Sequence, residues 1–243
     1  MRAFPEVFDY YQAPLYNRDA LAASVASLIR DVAAGTVLDC ACGTGLPAID
    51  LRALGIAVEC SDSDPGMLEQ FRVNAIARGV SDKAHQLAWS DLGTLGRQFG
   101  LVLCRGNSIA YADSWEHTTP AAPLAAIEFH VRAIAAAVAP GGYLLIDAPR
   151  ERKEISAGYP VAVLRGERVR VSEGVRLAGG CRAWTHQVTI GKKERHEFTR
   201  YSADITGETL RGMLARAGLT GITEVTLEGE RPSYQSLLAR RAA

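Results

Sequence analysis

No run of about 18 apolar residues occurs anywhere in the 243-residue chain, so the sequence offers no candidate for a membrane-crossing helix. The amino terminus, MRAFPEVFDYY, lacks an apolar core of signal-peptide length, and a cytoplasmic location is expected. Excess charge is missing too: 27 Lys+Arg stand against 27 Asp+Glu, which gives nucleic acid no electrostatic footing. Cysteine is sparse. The five thiols (Cys40, Cys42, Cys60, Cys104, Cys181) are odd in number and sit mostly in apolar runs, which excludes a disulfide scaffold and reads as reduced cysteine. Cys40-Ala-Cys42 has no second pair, and His85, His130, His186 and His196 show no ligand spacing among themselves, so no metal is expected. What is present is ordinary globular material, 48% apolar and 22% charged, of a length that suits one elaborated domain.

Apolar residues at Leu21, Val25, Leu28, Ile29 and Val32 recur at helical spacing until Gly35 stops them. Residues 36–41 then have the length and β-branched start of a buried strand, broken by Gly43-Thr-Gly45 before an amphipathic stretch over 47–54. The pattern repeats: 57–61 reads as a strand ending at Asp62, and Asp64-Pro65 as the N-cap and first residue of a helix reaching about Ala77. Further strands are expected at 85–89, 101–104 and 143–146, with a long helix over 123–138 closed by Pro140-Gly-Gly. This alternation predicts an α/β fold with a Rossmann-like, doubly wound, mostly parallel seven-stranded sheet.

After Asp147 the texture changes. Short strands at 161–164, 169–171, 183–190 and 197–202, with no helix among them, predict an antiparallel β insert, a lid placed after strand five. Thr206 then caps a helix that Gly218 ends, and strands near 222–227 and 236–239 complete the main sheet. The expected organisation is a ligand-binding core over 1–149 with an N-terminal helical segment, a substrate lid over 150–203, and a closing segment over 204–243. Residues 1–149 hold 10 Lys+Arg against 16 Asp+Glu, whereas residues 150–243 hold 17 against 11. A basic lid over an acidic platform favours a small substrate carrying a carboxylate or phosphate; a merely solvated charged surface is the other reading.

Gly43-Thr-Gly45-Leu-Pro-Ala48 fits the dinucleotide pattern G-x-G-x-x-[GA], in which glycines let the backbone approach a ligand at the end of the first strand. Two features count against a nicotinamide enzyme. Asp39 puts a carboxylate just before the turn, where a pyrophosphate is repelled, and Pro47 crowds the helix start. A cationic ligand tolerates Asp39 better, and S-adenosylmethionine, with a sulfonium and an ammonium, is such a ligand.

The run Val37-Leu-Asp-Cys-Ala-Cys-Gly-Thr-Gly45 resembles the first motif of class I methyltransferases, Val58-Glu-Cys-Ser-Asp62-Ser-Asp-Pro-Gly-Met67-Leu68 their second, and Trp89-Ser90-Asp91-Leu92 their third. Within that class, Asp39 to Gly45, Cys104-Arg-Gly-Asn-Ser108, and Pro140-Gly-Gly with Ile146-Asp147 make the chain similar to the glycine N-methyltransferase and glycine/sarcosine methyltransferase family. The resemblance implies S-adenosylmethionine as cofactor. It implies that Asp62 accepts both ribose hydroxyls, that Arg18 pairs with the methionyl carboxylate, and that Tyr11 or Tyr16 closes over the cofactor. It further places Asp39, Ala41, Gly43, Gly45, Ser63 and Cys104 around the cofactor, packs Met67 on the adenine and lets Ser90, Asp91 and Leu92 read its amino edge. On the acceptor side it implies Asn107, Tyr111, Arg150, Tyr201 and Tyr234.

This chain departs from the family at several of those positions. The family's arginine two residues after the strand-five aspartate is Pro149 here, with Arg150 one residue later, so glycine as the acceptor does not follow. The family's leucine before Gly-Asn-Ser is Arg105, and the segment over 111–123 is longer and carries Trp115, Glu116 and His117. A different and larger acceptor is expected, amino-acid-like or a secondary metabolite, methylated on nitrogen. A neutral amine needs mainly alignment; an oxygen or carbon acceptor needs a base, for which His117 is the candidate. O- or C-methylation, a nicotinamide oxidoreductase and a cofactor-binding regulatory module remain the alternatives, and a homo-oligomer is an open possibility.

Overall fold

The computed structural model describes residues 2–112, 124–150, 155–178 and 181–243. Two helices come first. Pro5 sits in the first turn of α1 (Phe4–Gln12), and the Asn17 side chain caps α2 (Arg18–Asp31) by accepting from the Ala20 amide. The chain then alternates through β1 (Val37–Asp39), α3 (Ala48–Ala53), β2 (Val58–Asp62), α4 (Pro65–Arg78), β3 (His85–Gln86), β4 (Phe99–Cys104), α5 (Leu124–Ala137) and β5 (Val138–Pro149). Asp64 caps α4 as expected, accepting from the Gly66 and Met67 amides, and Gly79 ends it in the left-handed conformation.

The main sheet has the order β11-β12-β5-β4-β1-β2-β3, where β11 (Leu219–Val225) and β12 (Tyr234–Arg241) follow α6 (Gly207–Arg216). β3, β2, β1, β4 and β5 pair in parallel, and β12 is antiparallel to β5 and to β11. Both faces are covered, which explains the continuous apolar runs: along β4, Leu101 and Leu103 pack with Leu21, Val25 and Phe71 on one side, while Val102 and Cys104 pack with Ile127, Val131 and Leu214 on the other. The chain leaves β1 toward β2 in one direction and takes up β4 on the other side. The carboxyl ends of β1 and β4 therefore flank the point where strand order reverses, where open α/β sheets hold their ligands.

A second, antiparallel sheet forms the lid: β6 (Ile155–Gly158), β7 (Ala162–Leu164), β8 (Glu167–Ala178), β9 (Cys181–Ile190) and β10 (Glu194–Ala203), in the order β10-β9-β8-β6 with β7 also on β8. The strands fall where the apolar runs suggested, except that β8 is much longer than its run over 169–171. On β8 the buried face reads Val169, Val171, Glu173, Val175, so a buried carboxylate interrupts the hydrophobic pattern in mid-strand. Other departures are local. β3 is two residues long because Trp89 begins a 3₁₀ turn over Trp89–Leu95, β5 starts at Val138, and α1 and β6 were not expected. α1 ties the halves together: Val7, Tyr10 and Tyr11 pack with Val169, Val188 and Ile190 of the lid, while Asp9 accepts from Gln70 and Asn74 of α4 and pairs with Arg165 of the lid at 2.9 Å. Among the described residues no helix is long and apolar enough to cross a membrane.

Gly45, at the start of α3, has φ +115°, and an added Cβ would lie 2.2 Å from Ile49 Cδ1. Gly45→Ala is expected to lower stability by roughly 2–4 kcal/mol through backbone strain plus overpacking, read as a shift of the urea midpoint at unchanged slope.

Candidate active site

The end of β1 turns sharply through Cys40 to Gly45. Cys42 N–H donates to the Ser61 carbonyl at 3.1 Å, and Gly43 (φ +50°) donates to Asp62 Oδ2 at 2.8 Å. The other oxygen of Asp62 accepts from the Asp64 amide at 3.0 Å, so this carboxylate at the end of β2 braces the turn with one hydrogen bond per oxygen. Asp39 is buried at the end of β1. One oxygen accepts from the Ala41 amide at 3.2 Å, while Oδ2 is buried without a hydrogen-bond partner among the described residues. Burial with so little compensation pushes its carboxyl up to about 7, partly opposed by the Ala41 amide and by Arg105.

Above the turn lies a cavity, partly open to solvent, with an empty volume of about 1390 Å³. Its core wall is formed by Cys40–Thr44, Asp62, Ser63 and Met67, with Leu87, Ala88 and Trp89 after β3. Trp89 is positioned by its indole N–H, which donates to the Cys40 carbonyl at 2.7 Å, and its ring meets His130 edge-to-face. The loop after β4 supplies Arg105, Gly106, Ser108, Tyr111 and Ala112. Gly106 and Asn107 are both left-handed, at φ +78° and +60°, which turns their amides onto Asp147 at 2.8 and 2.6 Å. Asp147, at the end of β5, thereby holds the β4 loop open toward the cavity.

The opposite wall comes from the lid and both termini: Tyr11, His186, Phe198, Arg200, Arg231 and Tyr234. Behind it sits Glu173 of β8, whose carboxylate accepts from Tyr11 Oη at 3.0 Å, from Tyr159 Oη at 2.6 Å and from the Arg231 guanidinium. Burial alone raises a carboxyl, but the neighbouring His186 and the charge and hydrogen bond of Arg231 outweigh it and hold Glu173 well below the usual carboxylate range. Arg231 also donates to Ser233 at 2.6 Å, and Arg105 pairs with Glu230.

These positions sort the residues implied by the sequence. Tyr16, Ala41, Gly43, Asp62, Ser63 and Met67 share the core wall, and Tyr11, Tyr111 and Tyr234 reach the cavity from other elements. Arg18 does not line it: its guanidinium donates to Asp50 at 2.8 Å, on α3. Ser90 and Asp91 are exposed on the 3₁₀ turn and Leu92 is core, so Leu87–Trp89 carry the lining instead. Gly45 and Cys104 are internal packing positions. Asn107 is buried beside Tyr111, behind the wall rather than on it. On β10 the strand alternation turns Phe198 and Arg200 toward the cavity and Tyr201 away from it. Arg150 points elsewhere, pairing with Glu224 at 2.7 Å. His117 lies outside the described residues. Sequence reasoning missed Glu173, His186, Arg200 and Arg231 as a set, because no motif surrounds them and only the tertiary pairing of lid, α1 and carboxyl-terminal loop brings them together.

A methyltransferase-domain model matches residues 37–142, the stretch that carries β1 to β5. Those residues are a class I methyltransferase domain. The match sets aside the nicotinamide alternative. The chain is 31% identical to glycine N-methyltransferase of Rattus norvegicus over 133 residues, which cover 49% of this chain and 42% of the rat enzyme. The fold extends to solved structures over almost the full length. KedS8, a sugar N-methyltransferase from Streptoalloteichus sp., matches with TM-score 0.73 and 24% identity over 100% of this chain and 96% of that one. CalS10, an amino pentose methyltransferase from Micromonospora echinaspora, matches with TM-score 0.76 and 22% identity over 100% and 99%. At those identities the likeness establishes the fold.

Two predictions follow from the buried charges of this methyltransferase domain and its lid. Because Asp39 keeps in the folded state a proton that the unfolded chain releases near pH 4, its contribution to stability falls as pH rises from about 4 to about 7. Asp39→Asn removes this, so the variant is expected to gain on the order of 4 kcal/mol over wild type above pH 7, a gap that closes toward pH 4 in thermal melts. Arg231→Leu strands Glu173 as a buried unpaired charge and is expected to cost about 3–5 kcal/mol in denaturant unfolding, largely recovered in Arg231→Leu/Glu173→Leu.

Proposed function

We propose that this chain binds S-adenosylmethionine along the core wall of the cavity and directs its methyl group to the amino nitrogen of a small, anionic acceptor in the range of amino acids and amino sugars. The donor set fits the cofactor. Asp62 keeps lone pairs for two ribose hydroxyls, and the unpartnered Asp39 Oδ2 suits a cationic ligand nearby. Met67, Leu87 and Trp89 supply apolar surface for an adenine, and the turn backbone at Ala41 and Gly43 lies within reach of the methionyl portion. When bound, S-adenosylmethionine supplies a methyl on a sulfonium, open to in-line displacement. The residues of this chain bind, align and exclude water, which for a neutral amine is most of the catalysis.

The observation that carries the acceptor side is that the guanidinium groups of Arg200 and Arg231, on the wall facing Asp62, and of Arg105, on the loop after β4, line one cavity, with Arg231 paired to Glu173 and Arg105 to Glu230. Even with two of them paired, guanidinium groups present N–H donors in a planar fork that suits an anionic group on the acceptor. Arg105 is an addition relative to the family's leucine, and Arg150 is tied to Glu224, so recognition of bare glycine is not supported. Amine acceptors agree with the names of the relatives, a glycine and a sugar N-methyltransferase among them.

Calorimetric titration with S-adenosylhomocysteine is expected to show micromolar binding that Asp62→Ala weakens by about tenfold or more, the loss of two hydrogen bonds, whereas NADH gives no heat. Transfer of labelled methyl is expected to rank glucosamine 6-phosphate above glucosamine and glycine. Binding of NADH alone would sink the cofactor assignment, and preference for the uncharged amine would sink the anionic acceptor.

A further inference from the structure

Glu173 of β8 and His186 of β9 stand directly opposite one another in the lid register, on the face that closes the cavity. The His186 ring lines the cavity, and its Nδ1 lies 3.3 Å from Glu173 Oε1. Glu173 has no freedom of its own, because Tyr11, Tyr159 and Arg231 hold it from three other directions. The two atoms are close but not aligned as a hydrogen bond; the negative charge of a fixed carboxylate beside Nδ1 still favours the tautomer with its proton there, which leaves Nε2 as an acceptor.

The ring is enclosed by Glu173 from β8, Arg200 and Phe198 from β10, Arg231 from the loop before β12, and Tyr11 from α1, with Trp184 stacked on it from its own strand. Burial, aided by the two guanidinium groups, holds the imidazole below its ordinary value against the pull of Glu173. It is therefore mainly uncharged near pH 7, as a proton acceptor has to be.

We propose that His186, oriented by Glu173, takes the proton that the acceptor ammonium must lose before its nitrogen can be methylated. This rests on the methyltransferase reading of the same cavity. An ammonium has no lone pair. Its N–H bond breaks with the electron pair left on nitrogen, and the proton passes to Nε2. That pair then forms the new N–C bond while the methyl–sulfur bond breaks with its electrons on sulfur. The imidazolium returns its proton to water before the next turnover.

Three measurements test the assignment on the full chain. In ¹⁵N NMR of imidazole-labelled protein, His186 is expected to be uncharged at pH 7 with its proton on Nδ1; a charged ring, or a proton on Nε2, overturns the proposal without any need for turnover. In pH–rate profiles with whichever of glycine, glucosamine and glucosamine 6-phosphate is methylated fastest, His186→Gln is expected to lose about 10²-fold in kcat near pH 7 at similar KM, and to recover as pH approaches about 9.5, where free amine needs no base. A kcat within about threefold of wild type near pH 7, or a loss that high pH does not restore, overturns it. Glu173→Gln, which keeps the shape but removes the charge, is expected to lose about tenfold in kcat with the same recovery at high pH. S-adenosylhomocysteine binding by each variant reports its folding, and failure of wild type to bind it would count against the cofactor reading alone.

Discussion

Glu173 and Arg231 are 58 residues apart in sequence and meet as a buried pair behind the cavity wall. Around them close the N-terminal helix through Tyr11, the lid through Tyr159 and His186, and the carboxyl-terminal strand through Tyr234. Desolvating two charges is costly, and the pair persists because nearly every donor and acceptor is satisfied by a residue from a different element. That requirement fixes where the lid sits. A cavity wall built on apolar packing alone would tolerate sliding; one built on directional bonds to a buried carboxylate has one arrangement.

The core wall obeys a different constraint. Its geometry comes from the parallel sheet, whose order reverses between β1 and β4 and leaves their carboxyl ends unobstructed. The ends of β1, β2 and β5 each bear an aspartate with a separate duty: Asp39 under the turn, Asp62 bracing Gly43, and Asp147 gathering the amides of Gly106 and Asn107. Asp39 and Asp147 are buried and Asp62 half-buried, and desolvation raises the pKa of all three, so a cationic ligand bound nearby would favour their ionised forms. The facing wall carries guanidinium groups.

The motif-bearing half was legible in the sequence because its physics is local. Gly43, Asp62 and the Asp64-Pro65 cap act within a few residues of where they stand, and strand alternation with helices is a pattern of short range. Arg18, Tyr201 and Arg150 were misplaced for the opposite reason. All three came from the family resemblance, and none lines the cavity: Arg18 pairs with Asp50, the pleat of β10 turns Tyr201 away, and Arg150 pairs with Glu224.

The lid shows the limit most clearly. β8 reads as short because Glu173 breaks the hydrophobic alternation, and a carboxylate in such a place looks from sequence like a solvated residue. By itself the sequence determined the α/β class, the glycine turn, the aspartates at the strand ends and the presence of an antiparallel insert. Only the tertiary structure decided which arginines, histidines and tyrosines face the cavity, because those positions depend on pairing across 58 to 220 residues of chain, where loop closure and not local propensity selects the partner.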